Sequence, residues 1–375
     1  MFLKATIKKI PRWMFMYYIL IAGWVGTTAM HIPDGYLSPV TCVLMALLVL
    51  PFWIRGVQKL REKMTARNIP LVALFAAFSF VVMMFNVPLP GGTTAHAVGG
   101  ALAAIILGPE IATIAITVAL VIQAFFFGDG GILTIGANAF NMAVVLPYVS
   151  YAIYQAISKN TPLNSKRRIV GAAAGGWAGL TAAAFFAAVE FGVQPLLWHT
   201  ADGTPLYAPY PLSVSIPAMV IPHALIASVV EGAVTALIVA YLLRANQPVL
   251  EMVSKTQIAP ETGSFARWRA LWIGLAALIV ITPLGLLAPG TAWGEWGAEE
   301  LTNRGLSFVP TGLAQLSGLW SAPMPAYNVP ALGNANIGYI LSAAVGIMVI
   351  IGVAWLFSML VTGGKKASSE SANSQ

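Results

Sequence analysis

Apolar runs long enough to cross a bilayer recur along almost the whole chain, near residues 13–26, 39–54, 70–88, 110–127, 131–157, 168–193, 213–243, 270–288 and 338–361. The breaks between them collect Gly, Pro and charge. A shorter apolar piece, 97–107, ends at Gly108-Pro109-Glu110. Charged residues make up only 9% of the 375, which excludes a soluble globular domain and predicts an all-α polytopic membrane protein. When residues 1–12 are placed inside and sides alternate, every Lys and Arg except Arg304 falls in an inside segment. That agreement with the positive-inside rule requires 98–107 to count as a full crossing.

The same alternation sets the domain plan. Residues 1–29 form a leader, 30–244 a seven-span body, 245–265 a polar cytoplasmic linker, and 266–375 a two-span extension. Segments 30–38, 88–97, 128–131, 191–211 and 289–337 face the exterior, and the Ser-rich tail from Ala367 is disordered on the cytoplasmic side. The net charge of +7 resides in the inside loops, where it suits a lipid surface and does not imply nucleic acid. The single cysteine, Cys42, lies in an apolar run, so disulfide and Cys-zinc chemistry drop out.

The leader reads as a signal peptide. Lys4, Lys8, Lys9 and Arg12 precede the apolar Trp13–Val25, and Thr27 and Ala29 place small residues at minus three and minus one of a cut before Met30. The alternative is an uncleaved anchor, for which the apolar stretch is short. A cut at that point has a chemical consequence. The free amine of Met30, the deprotonated amide of His31 and the His31 imidazole form two fused chelate rings in one plane, a donor set that suits nickel or copper, and cobalt less strictly.

Four histidines are present: His31, His96, His199 and His223. His96, in GGTTAHAVGG, lies on the same side as His31 among glycines that let the backbone come close. Pro33-Asp34-Gly35 reads as a turn that sends the segment around His31 back into the bundle. Asn138 and Asn141 share a helix face, either as interhelical hydrogen bonds or as partners that orient a metal-bound imidazole. Asp129 reads as a turn former. His223 and Glu231, two helical turns apart, share a face; an intramembrane Glu is functional or paired. Gly171, Gly175, Gly179 and Ala183 form a small-residue stripe, read as internal packing ahead of a docking face.

At MHIPDGYLSP, TAHAVGGALAAIILGPE and FGDGG…GANAFNMAVVLP the chain resembles the CbiM/NikM family, the substrate-binding membrane components of energy-coupling-factor (ECF) importers for cobalt and nickel. The resemblance spans about Met30 to Ala240. It implies a seven-helix body whose N-terminal segment plugs its own core, with Met30, His31 and His96 as ligands for Co2+ or Ni2+ as transported substrate. Residues 266–375 resemble the small auxiliary component of the same importers, fused through the linker; the PDGLE-type signature of many such extensions is absent, which leaves metal delivery to the site and subunit assembly both open as its role. The resemblance further implies two ATPase subunits and a transmembrane coupling subunit as partners in the cell membrane.

No GxxxxGK[ST] loop is present, so ATP hydrolysis falls to partners. Neither HExxH nor a nucleophile elbow occurs, which argues against a membrane-embedded hydrolase. An organic-vitamin carrier remains as a rival; it would need a large aromatic cavity and no free N-terminus.

Overall fold

A computed structural model describes residues 31–63, 69–90, 93–162, 164–244, 264–288 and 290–372. The leader, Met30 and nearly all of the linker lie outside these described residues, as does the end of the Ser-rich tail. The helices are α1 (Pro39–Lys63), α2 (Ile69–Met83), α3 (Gly100–Leu107), α4 (Pro109–Phe127), α5 (Ile135–Ser158), α6 (Lys166–Leu197) and α7 (Leu212–Arg244). The extension supplies α8 (Ser264–Ile281), the short α9 (Ala298–Asn303) and α10 (Thr311–Leu316), and the long α11 (Ala335–Ala372). The chain is an all-α polytopic membrane protein: α1, α4, α5, α6, α7 and α11 are each long and apolar enough to cross a membrane.

Helix α1 begins where its chemistry dictates. Ser38 accepts the Thr41 N–H at 3.1 Å and Pro39 occupies the first turn, where a missing N–H costs nothing. One face of α1, with Val43, Leu44, Leu47 and Leu48, is exposed, as a lipid-facing helix requires. Helix α2 is the opposite case. It is apolar all round, and only Pro70 and Phe78 escape burial, because α4 of the body and α8 and α11 of the extension pack along it. The extension is therefore part of the same bundle.

The short piece before Gly108 is helical only in its second part. Helix α3 has eight residues, about 12 Å of rise against a hydrocarbon core of about 30 Å. The stretch Thr93–Gly99 ahead of it is non-helical, and every residue from Thr93 to Leu107 is buried in protein. Irregular backbone is tolerated at membrane depth only under that condition. The N–H groups at the head of α3 that lack a helical partner are satisfied by Glu231 of α7, whose Oε2 accepts from Val98 and Gly99 at 2.8 Å each and whose Oε1 accepts from Ala101 at 3.1 Å. A carboxylate at a helix N-terminus also meets the positive end of the dipole.

Three of the crossing helices widen into π-helical turns, at Gln123–Phe127 in α4, Ala139–Val145 in α5 and His223–Ala227 in α7. The second and third of these turns line the cavity described below, through Asn141, Met142 and His223, a recurrent place for such bulges. The glycine stripe of α6 packs internally: a Cβ on Gly175 would lie 2.6 Å from the Ser150 carbonyl of α5.

The segments that the charge pattern assigns to the exterior are hydrogen-bonded to one another at one end of the bundle. Gly131 donates to the Ile32 carbonyl at 2.9 Å, Ala208 to Tyr36 at 2.9 Å, and Gly312 to Leu206 at 2.7 Å. Strands β1 (Val87–Leu89) and β2 (Thr93–Ala95) form an antiparallel hairpin, Val87 opposite Ala95, and Ala292 of the extension adds to the free edge of β2 beside Thr94.

Candidate metal site

The segment after Met30 is held by its backbone. Asn138 makes a two-point clamp on Ile32, accepting its N–H at 3.0 Å and donating to its carbonyl at 3.1 Å. Asp34 accepts the N–H groups of Ile132 and Leu133 at 2.9 and 2.8 Å. The turn at Pro33–Tyr36 closes through the Tyr36 N–H to Pro33. Residues 31–38 are thus plugged into the bundle, and His31 is 1% exposed.

His31 and His96 meet there. Their rings are edge to face with centroids 5.1 Å apart, and both line a cavity of about 60 Å³ together with His223, Asn138, Asn141 and Glu295. His96 Nδ1 donates to the Ala97 carbonyl at 3.0 Å and His223 Nδ1 to Met219 at 2.7 Å. A carbonyl can only accept, so each of these rings carries its proton on Nδ1 and keeps the lone pair on Nε2. His31 Nδ1 lies 3.0 Å from Asp129 Oδ1, and its Nε2 is buried without a hydrogen-bond partner among the described residues. His199 is exposed in the hairpin that follows α6.

Other residues singled out from the sequence have distinct places. Neither carboxamide bonds an imidazole among the described residues: Asn138 clamps Ile32, and Asn141 donates to Glu190 of α6 at 3.0 Å, an interhelical bond. Asp129, besides standing in the turn, is the carboxylate that holds His31. His223 and Glu231 both face the bundle interior, but the π turn separates their tasks. His223 lines the cavity; Glu231 caps α3 and so fixes the strand-to-helix segment that carries His96.

Two contributors come from the extension and carried no sequence signal. Tyr327 donates to Asp129 Oδ2 at 2.6 Å while its oxygen accepts from Gln123 at 2.9 Å. Glu295 lines the cavity with Oε2 unpartnered among the described residues; burial, and then the nearby Asp129 charge, hold its carboxyl well above the ordinary range.

Comparison with known proteins agrees with this architecture. The family described as "Cobalt uptake substrate-specific transmembrane region" (CbiM) matches residues 31–249, and the PDGLE domain matches 267–363 although those letters are absent from that stretch. The fused nickel transport protein NikMN of Rhodobacter capsulatus is 52% identical over 336 residues, covering 86% of this chain and 95% of that protein. The probable fused nickel transport protein LarMN of Lactiplantibacillus plantarum is 41% identical, again over 86% and 95%. A crystal structure of a transition metal transporter, 48% identical, superposes with a TM-score of 0.55 over 60% of this chain and 98% of its own. The chain belongs to the CbiM family of substrate-specific transmembrane regions of cobalt uptake and carries a PDGLE domain fused behind it.

Proposed function

We propose that this chain captures Ni2+, with Co2+ as a competing cargo, as the substrate-binding membrane component of an ECF importer. The observation that carries the reading is the pair of buried imidazoles, His31 and His96, lining one small cavity directly after the position of Met30. A volume of about 60 Å³ suits an ion with a water or two. An organic vitamin needs a pocket of roughly 300 Å³ or more. Nickel is favoured because the relatives with the same two-part architecture are named nickel transport proteins.

In this reading cleavage after Ala29 frees the Met30 amine, which with the His31 amide nitrogen and Nδ1 closes a five- and a six-membered ring; His96 Nε2 supplies the fourth nitrogen. Closing the six-membered ring requires the His31 imidazole to turn away from Asp129, which engages Nδ1 in this structure. A planar four-nitrogen set distinguishes nickel from the hard, oxygen-seeking Mg2+ and Ca2+. The gathering of the 31–38, 93–99, 128–134, 198–211 and 290–334 segments at one end supports an exterior site, and the basic inside loops support a cytoplasmic C-terminus. ATP-driven uptake then falls to two ATPase subunits and a coupling subunit.

The test is intact-mass analysis of the purified chain with its metal content after growth in trace nickel and cobalt. A chain starting at Met30 with one bound Ni2+ is expected. A metal-free chain, or one starting at Met1 with tight binding, overturns the chelate.

A further inference from the structure

The extension does more than pack against α2. Its segment Gly290–Ala292 runs along the free edge of β2: Thr94 donates its N–H to Thr291 at 3.3 Å and its hydroxyl to the Gly290 carbonyl at 3.0 Å. Thr94 is two residues from His96. The segment is pinned further by Trp296, whose carbonyl accepts from Tyr36 Oη at 2.7 Å and whose ring lies 5.5 Å from Trp293 and beneath Arg304. Between these anchors Ala292 and Glu295 face the cavity shared by His31 and His96.

A Glu carboxyl 7% exposed, with Oε2 lacking any hydrogen bond among the described residues, is costly unless something arrives to meet it. The fold could have left this side chain in water, since it belongs to a loop. Instead two aromatic anchors and a strand edge hold it inward, a few residues from the segment that carries His96. Oxygen is the donor type that a hydrated dication exchanges for water most simply, and imidazole nitrogens are the stronger final donors for nickel.

We propose that Glu295 is a metal-contacting residue of the extension: its carboxylate takes the hydrated dication as an oxygen donor at the cavity wall and passes it to the nitrogen donors of His31 and His96. The inference rests on the capture reading above and adds to it a ligand supplied by the PDGLE domain. Because Glu295 acts on the way in, it governs the rate of loading more than the affinity of the seated ion.

The experiment uses the purified processed chain, extension included, and Ni2+ alone, with loading followed by stopped-flow and affinity measured by competition with a chelator. E295Q keeps shape but cannot give up a proton to become the carboxylate that meets the ion; its loading rate is expected to fall about tenfold, as for loss of one donor on the way in, while equilibrium affinity stays within about threefold. E295D, shorter but still a carboxyl, is expected to recover part of the rate; a merely structural role would reverse that order, since Gln preserves the volume and Asp does not. Loading of E295Q at the parental rate, or recovery by Gln in place of Asp, overturns the proposal. H96A separates the two readings. Loss of Ni2+ affinity in H96A with unchanged loading in E295Q sinks the Glu295 inference alone, whereas parental affinity in H96A sinks the capture reading on which it rests.

Discussion

Tyr327 and His31, 296 positions apart in the chain, share one carboxylate: the Tyr327 hydroxyl donates to Asp129 Oδ2 at 2.6 Å while His31 Nδ1 lies 3.0 Å from Asp129 Oδ1. The PDGLE domain thereby sets the direction in which the first imidazole points. Asp129 engages Nδ1 of that ring, so the Asp129 contact and the six-membered chelate ring compete for the same nitrogen.

That competition gives the first prediction. If the chelate closes through Nδ1, D129N leaves Ni2+ affinity within about threefold, because the contact it weakens belongs to the empty site. Coordination through Nε2 would instead make Asp129 the partner that orients the ligand, and its loss would cost about 10- to 100-fold. Isothermal titration of the processed chain decides between them, and the larger loss removes the chelate.

Processing is testable at a single side chain. A29L puts a bulky residue where the cut needs a small one, so the chain is expected to retain residues 1–29 and to bind no nickel in metal analysis, while keeping its fold. Nickel bound at one equivalent to an unprocessed A29L chain would show that the amine is dispensable.

Glu231 supports the site at a distance. In E231A three buried N–H groups at the head of α3 lose their acceptor, which is expected to destabilise the chain by about 3 kcal/mol or more. E231Q turns an NH2 toward N–H donors and should retain the fold at a lower unfolding temperature, with Ni2+ affinity reduced about tenfold through misplacement of His96. Unchanged affinity in a folded E231Q would mean that the His96 segment is held by other contacts, of which the Ser79 hydroxyl donating to the Val98 carbonyl at 2.7 Å is one.

Gly130 tests how tightly the plug fits. Its φ is +89°, and a Cβ there would lie 2.9 Å from the His31 Cβ. G130A is expected to cost about 1–3 kcal/mol, and the strain falls on the segment that carries the metal ligand. Thermal unfolding with and without Ni2+ checks it: the stabilisation conferred by the metal should shrink in the variant, and an unchanged increment would show that the His31 backbone has room to move.

The sequence placed the crossings well, because a bilayer imposes length and polarity on every one. The run read near 110–127 is α4 at Pro109–Phe127, and that near 213–243 is α7 at Leu212–Arg244. Helix α1 outruns its apolar stretch, near 39–54, as far as Lys63, since Lys, Arg and Glu continue a helix readily once it leaves the apolar layer. The His31 and His96 pair was legible from side and depth. Glu295 was not: it stands in a loop without periodicity, and only the tertiary addition of Gly290–Ala292 to β2 brings it inward. Likewise the capping role of Glu231 depends on backbone groups 130 to 133 positions away, beyond the reach of any local pattern.

The strand edge beside His96 is completed by a segment from the other half of the same polypeptide. In a two-gene arrangement that segment would arrive from solution or from the plane of the membrane, and the fraction of complete sites would follow the abundance of a second subunit. A covalent tether replaces this with a local concentration of order millimolar and a fixed ratio of one to one. Fusion thus makes site completion independent of expression level, and a break in the tether would be tolerated wherever the membrane holds the halves at comparable density.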